Sequence, residues 1–161
     1  MSEPLLAVRD LHAWYGEGHA LHGVNLEVLR GETVTLLGRN GVGKTTTLRA
    51  LKERRNSQGT KLSGGEQQML AIARILRTGV EMLLLDEPTE GLAPVIVQRI
   101  GELLATLKKR GMTILLVEQN FRFAARIADR FYLMDHGKVV EGFPVGQLSA
   151  HTEKLHEVLG V

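Results

Sequence analysis

Three apolar runs of strand length, separated by helix-length segments, predict an α/β domain with a mainly parallel sheet flanked by helices. The runs are Thr33 to Leu37, Met82 to Leu85 and Thr113 to Val117. The first is followed at once by a glycine-rich loop that opens a helix, and Ile96, Ile100, Leu103 and Leu107 between the other two fall at i, i+4, i+7 and i+11. That spacing is one face of an amphipathic helix. An antiparallel β region is expected ahead of this core.

Each element follows from local chemistry. Leu5 to Val8 and Leu21 to Leu29 alternate apolar and polar residues imperfectly, with a glycine turn at Gly16 to Gly18 between them, which predicts two short antiparallel strands. Arg30-Gly31-Glu32 is a turn, Thr33 to Leu37 a buried strand, and a helix is expected from Lys44 towards Arg55. After the polar stretch Asn56 to Thr60, a second helix should begin near Gly65 and run through Leu70, Ile72, Ala73 and Leu76. Gly111 closes the amphipathic helix. Phe131 to Met134 and Lys138 to Glu141 flank Asp135-His136-Gly137 as a hairpin, and Thr152 to Leu159 reads as a short amphipathic helix. No internal repeat, linker or low-complexity tract interrupts the chain, so residues 1–161 are read as one domain.

Composition narrows the class. With 43% hydrophobic and 24% charged residues, the chain has the balance of a soluble globular protein. Lys+Arg 20 against Asp+Glu 18 leaves a net charge of +2 with the signs interspersed, so no nucleic-acid partner is implied. The absence of cysteine excludes disulfides and thiolate metal sites and agrees with a cytoplasmic setting. Met1 to Asp10 has no basic region leading into an apolar run, and no stretch approaches the ~20 apolar residues that a membrane span needs. Membrane association is therefore expected only through a partner.

Two segments carry chemistry. GRNGVGKTT, Gly38 to Thr46, fits G-x-x-x-x-G-K-[ST], a loop shaped for a nucleoside triphosphate. Gly41 and Gly43 let the backbone approach phosphate oxygens, Lys44 supplies a point charge, the Thr45 hydroxyl suits Mg²⁺, and the helix that follows aims its N-terminal dipole at the same anion. A chance glycine turn would have neither a buried strand before it nor a helix after it. Asp86 and Glu87 close the run Met82 to Leu85, which puts them at the carboxyl end of a buried strand where ligands collect. Asp86 is the expected Mg²⁺ partner through water, and Glu87 the candidate general base for the attacking water. The same acidic pair elsewhere would read as a surface turn. LSGGEQQ, Leu62 to Gln68, is the second segment, in which Ser63, Gly64 and Gly65 precede a helix and offer a further anion site. A Ser cap followed by flexible glycines accounts for only part of that heptad.

Together these segments resemble the ATP-binding subunit of an ABC transporter, a P-loop NTPase core, and the resemblance runs from Leu5 to Val161. It implies ATP and Mg²⁺ as cofactors, with Asn40 and Thr46 joining Gly38, Gly41, Gly43, Lys44 and Thr45 around the nucleotide. Tyr15 stands where the family stacks an aromatic ring on adenine; Trp14 is adjacent, and either ring could instead be core. The resemblance also implies that Ser63, Gly64 and Gly65 close on ATP held by a second ATPase subunit, and that Thr89 to Pro94 lets the subunits sense each other. Where most of the family has histidine after the strand that follows the acidic pair, LLVEQN places Gln119, which can donate a hydrogen bond to the γ-phosphate but takes no proton near neutral pH. EPTEGLAP, VEQN and LHEVLGV resemble the ATPase of a branched-chain amino acid importer, with the urea-importer ATPase as the near alternative. Transmembrane permease subunits, an extracytoplasmic solute-binding protein acting through them, and a place at the inner face of the membrane follow from the same likeness. His12, His19, His22, His136, His151 and His156 have no metal spacing and read as surface or hairpin residues.

The chain departs from the family after about Leu51. Thr45 and Ser63 stand 18 positions apart (63 − 45) where the family inserts many tens of residues. ERRNSQGTK resembles what directly precedes the signature, so the glutamine loop, its strand and most of the helical subdomain are missing, and Gln58 is not that loop's glutamine. A helix from Lys44 to Arg55 spans ~18 Å, and eight further residues reach at most ~26 Å, so the shortened connection can close. The packing that orients the signature helix disappears, so its apolar face, Leu70, Ala73 and Leu76, is expected either partly exposed or repacked against the sheet. Three functions are consistent with this sequence: an importer ATPase, a nucleotide-binding remnant without efficient hydrolysis or coupling, and a soluble ABC ATPase of repair or translation. The last is disfavoured because the chain has no coiled-coil insertion, second cassette or basic face.

Overall fold

The computed structural model describes residues 3–55, 70, 72–74 and 77–160. Its main sheet has five strands: β3 (Thr33–Leu37), β4 (Met82–Asp86), β5 (Thr113–Glu118), β6 (Arg130–Asp135) and β7 (Lys138–Pro144), in the order β4-β5-β3-β6-β7. The pairs β4/β5, β5/β3 and β3/β6 are parallel and β7 returns antiparallel to β6. Every residue of β3 and β5 is buried, as expected of central parallel strands covered on both faces. The return is a two-residue turn with His136 at φ 44 and Gly137 at φ 76, both left-handed, which is the geometry that tight hairpins favour.

Alternation along β5 divides the core. Ile114 and Leu116 point into a cluster with Ile100, Leu104 and Phe123, and Leu115 and Val117 into another with Leu21, Leu48 and Met134. The first is covered by α2 (Pro94–Lys109), α3 (Phe121–Ala125) and α4 (Thr152–Leu159), the last reached through a 3-10 helix at Val145–His151. The second is covered by α1 (Lys44–Arg55) and by a two-stranded antiparallel sheet of β1 (Pro4–Tyr15) and β2 (Gly18–Leu29).

The structure departs from the sequence reading in the N-terminal strands and in α2, and narrows it at Trp14, Tyr15 and the second expected helix. The N-terminal strands are 12 residues each, and register shifts after Val8 and Leu11 break the two-residue period that would have shown β1 beyond Val8. In α2 the buried stripe is Ile100, Gly101, Leu104 and Leu107; Ile96 and Leu103 flank it, partly buried. Trp14 and Tyr15 are 57% and 58% exposed, so neither ring is core. In the described part of the second expected helix, Ile72 is buried and Leu70 exposed, and Leu76 lies outside the described residues.

Parallel pairing aligns the strand ends: Leu37 stands opposite Glu118 and Asp86 opposite Val117. The loops after β3, β4, β5 and β6 therefore open on one edge of the sheet, where ligands bind in open α/β folds.

Candidate functional site

The loop between β3 and α1 is held from three sides. Gly41 and Gly43 have φ of 83° and 110°, in the region that glycine alone enters without cost. A Cβ on Gly43 would stand 2.7 Å from Leu21 Cδ2, whereas one on Gly41 would meet nothing, so the first glycine packs and the second faces open space. The Gly137 amide donates to the Val42 carbonyl at 2.8 Å, tying the β6–β7 turn to the loop.

Lys44 is 3% exposed, and its ammonium donates to the carbonyls of Gly38 at 2.7 Å and Arg39 at 2.8 Å. Its third partner is Glu87 Oε1 at 3.1 Å. Thr45 Oγ1 donates to Asp86 Oδ1 at 3.2 Å across 41 residues of sequence. Glu87 itself has φ 45, a left-handed conformation that costs a non-glycine residue about 1 kcal/mol or more and concentrates at functional sites. The hydroxyls of Tyr15 and Thr46 lie 3.2 Å apart.

Tyr15, Asn40, Gly41, Gly43, Lys44, Thr45, Thr46 and Glu87 line a cleft of about 640 Å³, while Gly38 and Asp86 stand behind its lining, joined to it through Lys44 and Thr45. Glu87 also borders a second recess of about 290 Å³ with Thr89, Glu90, Glu118, Gln119 and Asn120. Gln119 thereby borders a recess that Glu87 also lines. Ser63, Gly64 and Gly65 fall outside the described residues.

Sequence reasoning missed two features. Glu118 is buried, accepts from Thr89 Oγ1 at 2.7 Å and from the amides of Gln119 and Asn120 at 3.1 Å each, and so clips the loop after β4 to the loop after β5. Burial pushes its carboxyl above the ordinary carboxylate range, against the pull of those hydrogen bonds. The only sequence signal was a charged residue ending an apolar strand. Three histidines read as surface or hairpin residues, His19, His22 and His136, also line the larger cleft.

Comparison with known proteins decides the family. The chain is 31% identical to the high-affinity branched-chain amino acid transport ATP-binding protein BraG of Pseudomonas aeruginosa, over 84% of this chain and 91% of that protein. It is an ABC transporter ATP-binding protein. The ABC transporter family model matches residues 21–60 and 50–90, two pieces that overlap over 50–60, where the sequence departs from the family. The alignment with BraG runs over 212 residues but takes in 84% of this ABC chain, about 135 residues, so it opens about 77 positions of gap (212 − 135) against it. The chain is also 26% identical to the phosphate import ATP-binding protein PstB of Salinibacter ruber, over 94% of each. A nucleotide-free ATP-binding cassette from an ABC transporter shares the fold with a TM-score of 0.84 at 17% identity, covering 99% of both chains. A dimeric bacterial ABC transporter cassette follows at 0.71 and 21%, over 86% of this chain and 98% of that one. The α/β ABC ATPase fold, lacking much of the helical subdomain, is thus the fold of this chain.

Proposed function

We propose that this ABC protein is the ATP-binding and ATP-hydrolysing subunit of an importer for branched-chain amino acids, a single domain over residues 1–161 shortened after about residue 51. The observation that carries the reading is the convergence of Lys44, Thr45, Asp86 and Glu87 at the carboxyl edge of the sheet. The likeness to BraG and the VEQN and EPTEGLAP segments support the solute, while the likeness to PstB keeps phosphate in view.

The residues fit the expected ligands. The open space at Gly41 and the donors of the loop suit phosphate oxygens, with Tyr15 at the cleft for the base. Among the described residues no group of three or more His, Asp or Glu could hold a metal alone. Mg²⁺ needs only one or two protein ligands beside phosphates and water, and Thr45 with Asp86 would supply them. The ion, once bound, would neutralise charge on the β- and γ-phosphates.

The 3.1 Å contact between Lys44 and Glu87 then has a consequence for hydrolysis. When Lys44 turns to the triphosphate, the Glu87 carboxylate is released and can accept the proton of an attacking water. Gln119 borders the same recess and would donate to the γ-phosphate. Ser63, Gly64 and Gly65 would close the site from a second ATPase subunit, so a dimer is required. Permease subunits would receive the work, and a solute-binding protein would act through them. No helix among the described residues is long and apolar enough to cross a membrane, so attachment to the inner face of the membrane would run through the permease.

Purified protein with Mg²⁺-ATP should release phosphate, and Glu87→Gln should reduce the rate by two to four orders of magnitude while ATP still binds, ~10²–10⁴ being what a positioned general base contributes. ATP binding without turnover would replace this reading with that of a nucleotide-binding remnant.

A further inference from the structure

Three imidazoles face the nucleotide cleft from two separate elements: His19 and His22 from β2, and His136 from the β6–β7 turn. In each the neutral ring has one N–H, and in each that hydrogen is already engaged. His12 Nε2 lies 3.1 Å from Asp10 Oδ1, so the neutral His12 ring donates there and turns its bare Nδ1 to His19 Nε2, 2.9 Å away. His19 therefore donates to His12. His22 is hydrogen-bonded to the His19 backbone, and His136 Nδ1 lies 2.9 Å from Asp135 Oδ1. The remaining ring nitrogen of each histidine is then a lone pair, which repels a phosphate oxygen. Only a second proton makes it a donor.

We propose that His19, His22 and His136 bind the phosphates of the nucleotide, and that they take up protons in doing so. The proposal rests on the nucleotide-binding reading above. Lys44, the buried ammonium of the cleft, is held by Glu87 before binding, so further positive charge in the cleft would add to the attraction for a triphosphate. Burial first, and then the nearby His19, Lys138 and His12, lowers the pKa of His22. A bound anion reverses that balance. His19 also stacks on Trp14, centroids 4.4 Å apart and planes 4° from parallel. Asp10 and Asp135 accept from the charged rings as well as from the neutral ones.

The sign follows from linkage. Because the bound state favours the protonated rings, affinity rises as pH falls through the imidazole range, and binding consumes protons. The ligand alone acts oppositely, since contact with Mg²⁺ and lysine drives protons off a phosphate.

The test is calorimetric titration of the whole chain with Mg²⁺-ATP near neutral pH, in two buffers of different ionisation enthalpy. Wild type should show net proton uptake. The combined His19→Asn, His22→Asn and His136→Asn variant should show none, and should bind about tenfold more weakly near pH 6 but within about twofold near pH 8.5, as three solvent-facing charge contacts would give. His19→Asn with His136→Asn, both exposed positions, keeps the test valid if the His22 change unfolds the chain. Net release of protons by wild type, or unchanged affinity of the variant near pH 6, overturns the proposal alone. Absence of ATP binding at every pH overturns the nucleotide reading, and this inference with it.

Discussion

Lys44→Ala isolates the group on which the proposed nucleotide binding turns. The ammonium is 3% exposed and has three oxygen partners at 2.7, 2.8 and 3.1 Å, two carbonyls and the Glu87 carboxylate. On binding it exchanges the carboxylate for a more highly charged phosphate, so truncation removes a charge-assisted contact worth about 1.5–3 kcal/mol. That corresponds to a loss of affinity of roughly 10- to 150-fold. Alanine also strands Glu87 beside the triphosphate, and this repulsion pushes the loss towards the upper figure. Adding Glu87→Gln removes the repulsion, so the double variant should bind more tightly than Lys44→Ala alone, with a coupling of about 0.5–3 kcal/mol. Equilibrium titration with Mg²⁺-ATP on all four proteins measures both numbers. An affinity for Lys44→Ala within about twofold of wild type would refute the assignment of the phosphate loop. Additive losses would refute the exchange of partners.

Glu118→Gln tests the buried clip between the two loops. A carboxyl whose pKa is raised in the folded state contributes stability that is present below its unfolded value, near 4.5, and lost as pH rises through the folded one. Glutamine does not titrate and can still accept from the amides and donate to Thr89, so the Tm of the variant relative to wild type should climb with pH above about 4.5 in thermal melts. A difference independent of pH would show that desolvation does not set the carboxyl's proton affinity. Gly38→Ala would place a Cβ 2.5 Å from the Met134 carbonyl oxygen and 2.7 Å from Val42 Cγ2. Since the first neighbour is strand backbone, denaturant unfolding should show a loss of about 1–3 kcal/mol, with weaker ATP binding beside it. Unchanged stability would mean that the β3 end and β6 are less closely packed than described.

Much of this site is legible in the chain because its signals are local. The run Thr33 to Leu37 and the glycines after it are contiguous, so strand, loop and helix could be read in one stretch. The pair Asp86-Glu87 announces itself by following four apolar residues. Signals that depend on period fared less well: bulges in β1 erase the alternation, and the α2 stripe is shifted towards Gly101 and Leu104 by packing against Phe123 and the sheet. The histidines read as surface or hairpin residues are so placed, but their sequence spacing could not show that three of them border a cleft assembled from β2 and the β6–β7 turn.

Sequence alone determined the family, the candidate phosphate loop, the acidic pair and the break after about Leu51, since each is written in neighbouring residues whose chemistry needs no distant partner. Tertiary structure alone decided which groups meet: Thr45 with Asp86, Lys44 with Glu87, Thr89 with Glu118, and Tyr15 with Thr46. Those meetings depend on parallel strand register, which brings the carboxyl ends of β3, β4 and β5 to one edge, and on the β1–β2 sheet packing over α1. Register and packing are set by burial across the whole core, and no short segment encodes them.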